Sequence, residues 1–205
     1  VGSEMCIRDS LTVAVPGILN DVFEEKITEA MTLPLPGTRE GTLSSRASKG
    51  LLEFIKEKKI DGVAIGPGLS VNRQTAQLVR KLVSVLSVPL VLDADGLNAF
   101  QGKMGELRKA TAPIIATPHP GELGRLIGVS PQTIQKKRMD YAMGFARENK
   151  VICVLKGHQT VVSDGTRVLI NSRGNPGMAS GGTGDVLTGM IAGLLKQVQT
   201  PWEAA

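Results

Sequence analysis

GVAIGPGLSVNRQTAQLVRKLVSVLSVPLVLDADGLN, residues 62–98, holds one complete strand–helix–strand unit. Val63-Ala64-Ile65 and Leu90-Val91-Leu92 are apolar without alternation, the pattern of strands buried on both faces. Between them Thr75, Leu78, Val79, Leu82, Val83 and Leu86 recur at helical spacing, which predicts a helix over 72–86. An apolar strand, a helix and a second apolar strand make a βαβ unit, and such units build parallel sheets.

The same rhythm continues on both sides. Upstream, Leu11 to Val15 is a short strand closed by Pro16-Gly17, and residues 48–59 form an amphipathic helix. Between them, residues 32–43 carry Pro34, Pro36, Gly37 and Gly41 and are predicted to be a loop. Downstream come a helix over 97–109, a strand over 113–116, helices over 121–127 and 131–148, and a strand over 151–155. Two β-rich runs around Asp164-Gly165 then form a hairpin. A helix over 184–197 follows, and the last five residues show no finishing element. The predicted fold class is α/β: three layers, α/β/α, with a mostly parallel sheet and an antiparallel hairpin near the C-terminus.

Composition supports one globular domain. The 205 residues are 41% hydrophobic and 21% charged, which argues against disorder and coiled coil. No window approaches the roughly 18 consecutive apolar residues of a membrane span. Aromatics are only 3%, so stacking on single-stranded nucleic acid is disfavoured. The net charge of +5 is spread out, giving weak attraction for anions such as nucleotide phosphate. Its densest patch, Lys136-Lys137-Arg138, is expected to be a solvated helix face. Cys6 and Cys153 cannot make a disulfide framework, and Cys153 lies in an apolar run as a small buried hydrophobe. A reducing, cytoplasmic setting is expected. Residues 1–10 have no apolar period and are expected to be a leader, foreign or disordered, before a domain over 11–205.

In a parallel α/β sheet the ligand crevice lies at the carboxyl ends of the strands. Five segments occupy such places. Gly66-Pro67-Gly68-Leu69-Ser70 lets backbone approach a ligand, though it lacks the third glycine of a dinucleotide fingerprint. In Asp93-Ala94-Asp95-Gly96-Leu97-Asn98, Asp95 is the natural helix N-cap, whereas Asp93 at a strand tip suits a Mg²⁺ shell or a ribose hydroxyl. Thr117-Pro118-His119-Pro120-Gly121-Glu122 fixes an imidazole between prolines with a carboxylate beyond. Lys156-Gly157-His158-Gln159-Thr160 places a point charge suited to phosphate, or simply an exposed hairpin entry. Finally, Asn175-Pro176-Gly177-Met178-Ala179-Ser180-Gly181-Gly182-Thr183-Gly184-Asp185 opens an apolar helix. Free N–H groups of Gly181, Gly182, Thr183 and Gly184 form an anion nest, and the helix dipole adds about half a positive charge. Asp185 beside that nest is awkward electrostatically unless it serves as base for an incoming hydroxyl; its other reading is a first-turn helix acid.

These five segments, in this order and spacing, resemble the ADP-dependent NAD(P)H-hydrate dehydratase family of the ribokinase-like superfamily. The likeness runs from about Leu11 to the end. The resemblance implies a ribokinase-like fold and a lyase of metabolite repair: a nucleotide, ADP or ATP, phosphorylates the hydroxyl of NADH hydrate or NADPH hydrate, and phosphate then leaves. It implies substrate contacts for Gly68, His119 and Asp185, with Asp185 catalytic. It implies nucleotide contacts for Lys156, Gly157, His158, Gln159, Thr160 and the Gly181–Gly184 nest. Glu122 is expected to help hold Mg²⁺, and a homo-oligomer, such as a tetramer, is expected; neither nucleic acid nor membrane is an expected partner. Two departures stand out. Ser70 replaces a usual glycine, and the family carries further sequence before Leu11, so this chain is expected to be a fragment. A vitamin-precursor kinase of the same superfamily and a non-catalytic nucleotide-binding module are the alternatives.

Overall fold

A computed structural model describes residues 10–205. Apart from Ser10, the expected leader lies outside the described residues, as does Cys6. The chain runs through β1 (Thr12–Pro16) and α1 (Asn20–Lys26) to β2 (Met31–Leu35), which pairs parallel to β1 in a two-stranded sheet of its own. The loop expected over 32–43 is thus corrected in its first part. Pro34 sits in β2, which has a strand neighbour on one side only, and an edge strand tolerates proline.

After α2 (Ser48–Glu57) comes the βαβ unit: β3 (Val63–Ile65), α3 (Arg73–Val85) and β4 (Leu90–Leu92). The Asn72 side chain caps α3, accepting the N–H groups of Gln74 and Thr75. The helix expected over 97–109 is instead two short ones, α4 (Ala94–Asn98) and α5 (Met104–Leu107), separated by a turn with Gly102 at φ +67°. After β5 (Ile114–Ala116) and α6 (Pro120–Ile127), the helix expected over 131–148 breaks at Lys137 into α7 (Pro131–Lys136) and α8 (Arg138–Asn149). Then β6 (Ile152–Leu155) leads into the hairpin of β7 (Val161–Ser163) and β8 (Val168–Ile170). The last helix expected from the sequence is α9 (Thr183–Leu194). The last five residues, read as showing no element, form most of a further short helix, α10 (Pro201–Ala204), held by a Thr200–Glu203 capping box.

The main sheet has the order β3-β4-β5-β6-β7-β8. Its first three pairings are parallel and its last two antiparallel, so that β7 alone runs against the other strands. Both faces of the central strands β4, β5 and β6 are covered, which explains their uniformly apolar sequence, whereas Ala64 of β3 and Leu169 and Ile170 of β8 are exposed. Leu90, Leu92, Ile114, Ala116, Cys153 and Leu155 pack with Leu78 and Leu82 of α3 and Phe145 of α8. Val91, Ile115, Val154 and Val162 point the other way and pack with Ile191 of α9 and Ala204 of α10. The result is a three-layer α/β/α fold. Fully burying a side chain such as Ile115 stabilises the fold by about 1.5–3 kcal/mol. Toward solvent, α9 leaves Val186 and Met190 exposed.

Candidate functional site

Strand order sets the site. Since β3 to β6 run parallel, Gly66, Asp93, Thr117 and Lys156 all leave the sheet at the same edge. The tips of β3 and β4 touch closely there. A Cβ on Gly66 would overlap the Asp93 carbonyl oxygen, and Gly66 has φ +150°. Gly68, φ +71°, has nothing within 4 Å of an added Cβ, so its outer side is open. Ser70 takes a left-handed φ of +68°, which the usual glycine would take freely. Its N–H donates to Asp95 Oδ2 at 2.8 Å. Asp95 is therefore not the helix cap: Asp93 holds the N-cap position of α4, and Asp95 ties the Gly66–Ser70 loop and Asn98 together.

Asp93 is almost wholly buried, at 1% exposure. Its Oδ1 accepts from the Lys156 ammonium at 2.5 Å, and its Oδ2 accepts from Thr188 Oγ1 at 2.9 Å. The carboxylate expected to serve a Mg²⁺ shell or a ribose hydroxyl thus has both oxygens taken by protein donors, joining β4, the end of β6 and the second turn of α9. Lys156 Nζ also lies 3.7 Å from Glu122 Oε2. Glu122 and His119 form a capping box at the head of α6. The His119 N–H donates to Glu122 Oε2 at 2.7 Å, and His119 Nδ1 accepts the N–H groups of Gly121 and Glu122. With Nδ1 accepting, the proton of the neutral ring belongs on Nε2, which lies 3.5 Å from Glu122 Oε1. His119 therefore has a structural duty, while half of its side chain remains exposed.

The two segments expected to bind nucleotide meet. A Cβ on Gly184 would lie 3.4 Å from Lys156 Nζ and 3.8 Å from Asp93 Oδ2. Gly182, φ +88°, holds the N-cap position of α9 without any side-chain cap. The first N–H groups of this helix therefore face outward beside an ammonium, a natural anion site. Gly181 and Gly182 have open space where a side chain would stand. Asp185 is exposed in the first turn of α9. Among the described residues no hydrogen bond or ion pair joins Asp185 or Gly68 to the Asp93–Lys156–Glu122 cluster. His158 and Gln159 are exposed on the loop after Lys156, and Thr160 Oγ1 closes that loop on the Gly157 carbonyl at 2.9 Å.

Two contributors escaped the sequence reading. Arg138 is no solvated helix face. Its Nη2 donates to the carbonyls of Leu155 at 2.8 Å and Lys156 at 3.2 Å, and burial lowers its basicity. Thr188 is the other, one turn beyond Asp185. Nothing in the sequence marks Arg138 apart from Lys136 and Lys137, and the only hint for Thr188 is its spacing of three from Asp185.

The donor set does not suit a directly held Mg²⁺. Among the described residues no group of three or more His, Cys, Asp and Glu side chains gathers to hold a metal ion. Asp93 and Glu122 both lie against Lys156, whose ammonium is 2.5 Å from the first and 3.7 Å from the second. Glu122, expected to help hold Mg²⁺, instead turns its oxygens to His119 and Lys156. As arranged, these residues do not fit a directly ligated ion. The surface depression lined by Pro113, Arg147 and Asp164 lies at the opposite end of the strands, and none of the predicted residues lines it.

Residues 9–205 match the family model described as NAD(P)H-hydrate dehydratase. Over 197 residues the chain is 46% identical to the bifunctional NAD(P)H-hydrate repair enzyme Nnr of Moorella thermoacetica, covering 95% of this chain but 37% of that protein. The ADP/ATP-dependent NAD(P)H-hydrate dehydratase of Bacillus subtilis, co-crystallised with ATP/Mg²⁺, superposes with a TM-score of 0.72 at 30% identity, covering 95% of this chain and 65% of that one. A ribokinase-like superfamily protein of Enterococcus faecalis superposes with a TM-score of 0.76 at 25% identity, over 95% of this chain and 64% of that one. The fold is thus ribokinase-like, and the chain spans little more than a third of the Moorella relative.

Proposed function

The chain belongs to the NAD(P)H-hydrate dehydratase family, and from that premise we propose that it supplies the nucleotide-dependent step that returns NADH hydrate or NADPH hydrate to the active cofactor. One observation carries this reading. Lys156 meets the glycine-rich head of α9 at the carboxyl edge of the sheet, its Nζ 3.4 Å from where a Gly184 Cβ would stand. That convergence suits the terminal phosphates of a nucleotide, ADP by preference and ATP as the other donor.

Phosphoryl transfer needs positioning and charge neutralisation more than covalent help. The Lys156 ammonium and the N–H groups of Gly181, Gly182 and Gly184 supply both, whereas the Thr183 N–H, expected to be free, donates to the Ser180 carbonyl at 3.4 Å. Asp185 takes the proton of the hydrate hydroxyl as its oxygen bonds to the phosphorus of the terminal phosphoryl group, and the shortened nucleotide leaves. The phosphate ester is then a good leaving group. The ring nitrogen's lone pair expels phosphate, the neighbouring carbon gives up a proton, and the dihydronicotinamide double bond returns. Gly68 and His119 contact the hydrate, and the loop from Lys156 to Thr160 contacts the nucleotide. Mg²⁺, present with ATP in the Bacillus crystal, neutralises phosphate charge when bound. The domain spans residues 11–205 and works as a homo-oligomer, a tetramer in the simplest case, in the cytoplasm. Among the described residues no helix is long and apolar enough to cross a membrane.

The test is recovery of dihydronicotinamide absorbance from NADH hydrate with Mg²⁺ and either ADP or ATP. Recovery should require nucleotide, and Asp185→Asn should lose at least about 100-fold in rate, as befits loss of a general base. A stable phosphorylated product instead of recovered absorbance would identify a kinase. ADP binding without turnover, unchanged in Asp185→Asn, would leave only a binding module.

A further inference from the structure

We infer that Lys156 is the resident cation of this site: its ammonium fills the position between Asp93 and Glu122 that a divalent ion would need, so such an ion enters only on the phosphates of bound nucleotide. The last clause rests on the function proposed above; the first rests on geometry alone.

Two carboxylates buried near one another demand a positive partner, because unpaired buried charge is costly. Asp93 is 1% and Glu122 6% exposed. The partner present is an ammonium, 2.5 Å from Asp93 Oδ1 and 3.7 Å from Glu122 Oε2. The other oxygens face protein donors too. Asp93 Oδ2 accepts from Thr188, Glu122 Oε2 accepts the His119 N–H, and Glu122 Oε1 lies 3.5 Å from His119 Nε2. A magnesium-like ion needs oxygens in a near-octahedral shell at about 2.0–2.1 Å. It cannot take Asp93 Oδ1 without displacing Lys156, and two cations side by side in a poorly hydrated site repel strongly. The ammonium has three N–H donors, of which one is spent on a hydrogen bond to Asp93, while Glu122 at 3.7 Å is held by charge alone. The remaining donors suit phosphate at the head of α9, where Gly184 leaves room.

Removing the ammonium leaves two facing carboxylates with nothing to balance them. Lys156→Met should therefore create the divalent site that the wild type lacks. The probe is Mn²⁺, followed on the full chain by the paramagnetic resonance signal of the free aqua ion. Without nucleotide, wild type should show no Mn²⁺ binding that Asp93→Asn abolishes. Lys156→Met should gain one Mn²⁺, at least about tenfold tighter than any site in wild type, and the double variant with Asp93→Asn should lose it. Mn²⁺ uptake by nucleotide-free wild type that disappears in Asp93→Asn or Glu122→Gln overturns the inference. So does a folded Lys156→Met that gains nothing. Should Lys156→Met fail to fold by circular dichroism, the comparison of wild type with Asp93→Asn decides alone. Adding ADP to wild type should bring one Mn²⁺ with it. If it brings none while the nucleotide-free results stand, the nucleotide reading fails and the resident cation survives.

Discussion

A methyl group on Gly66 would collide with the Asp93 carbonyl oxygen, and the φ of +150° at Gly66 disfavours any side chain. Relief requires β3 or β4 to shift at the tip, where Asp93 holds Lys156 and Thr188. Gly66→Ala should cost at least about 2 kcal/mol in urea denaturation, since strain and clash add. It should also weaken ADP binding, because the displaced residue positions the ammonium; unchanged stability would contradict the close approach. At this scale the sequence was legible by location. Residues at strand ends stand out because a parallel sheet puts its crevice there. What it did not disclose was partners. Asp93 meets Lys156 across 63 residues of chain and Thr188 across 95, and no local pattern records such pairings. Arg138 was hidden for a related reason: a basic run looks the same whether its members face water or fold back onto carbonyls.

The loop from Gly157 to Thr160 depends on a neighbouring element for its shape. It includes φ +132° at Gly157 and +54° at Gln159. Neither is a relaxed state for an ordinary residue. Arg138, at the start of α8, grips the loop's entry through the carbonyls of Leu155 and Lys156. Arg138→Ala should weaken ADP binding about tenfold, the worth of one hydrogen bond to a charged donor. Far-ultraviolet circular dichroism should stay unchanged. Arg138→Lys should recover only part of the loss, because an ammonium lacks the planar fork. Equal ADP affinity in all three proteins would remove Arg138 from the site. Elements with strong periodicity, such as α3, were readable to within a residue or so. The misreadings had physical causes. Pro34 and Pro36 mimic loop punctuation, although an edge strand can carry proline. The break at Lys137 falls where the apolar period runs on and no glycine or proline marks it.

Global stability carries a signature of the buried thiol. Burial pushes Cys153 from 9.0 up to about 12, only partly opposed by the nearby Arg138 charge. The folded chain therefore keeps the thiol proton at pH values where the unfolded chain releases it. The stability linked to Cys153 is fully present below pH 9 and is lost as pH rises from about 9 toward 12. Urea midpoints of wild type should thus fall relative to those of Cys153→Ala across that window. A constant difference would mean that the thiol is not held neutral.

One face of the main sheet is closed by helices that follow all six of its strands in the chain. Val91, Ile115, Val154 and Val162 find their partners on α9 and α10. The other face receives α3 and α8, each made alongside the strands it covers. During synthesis from the N-terminus, the growing chain therefore leaves this smaller face of the sheet uncovered until residues beyond Leu194 have left the ribosome. The helix that ends this exposure is the one that brings Asp185. A nascent chain still open to aggregation on that face is also one that cannot yet act on its substrate, so closure of this face and arrival of the proposed base are a single event in its biogenesis.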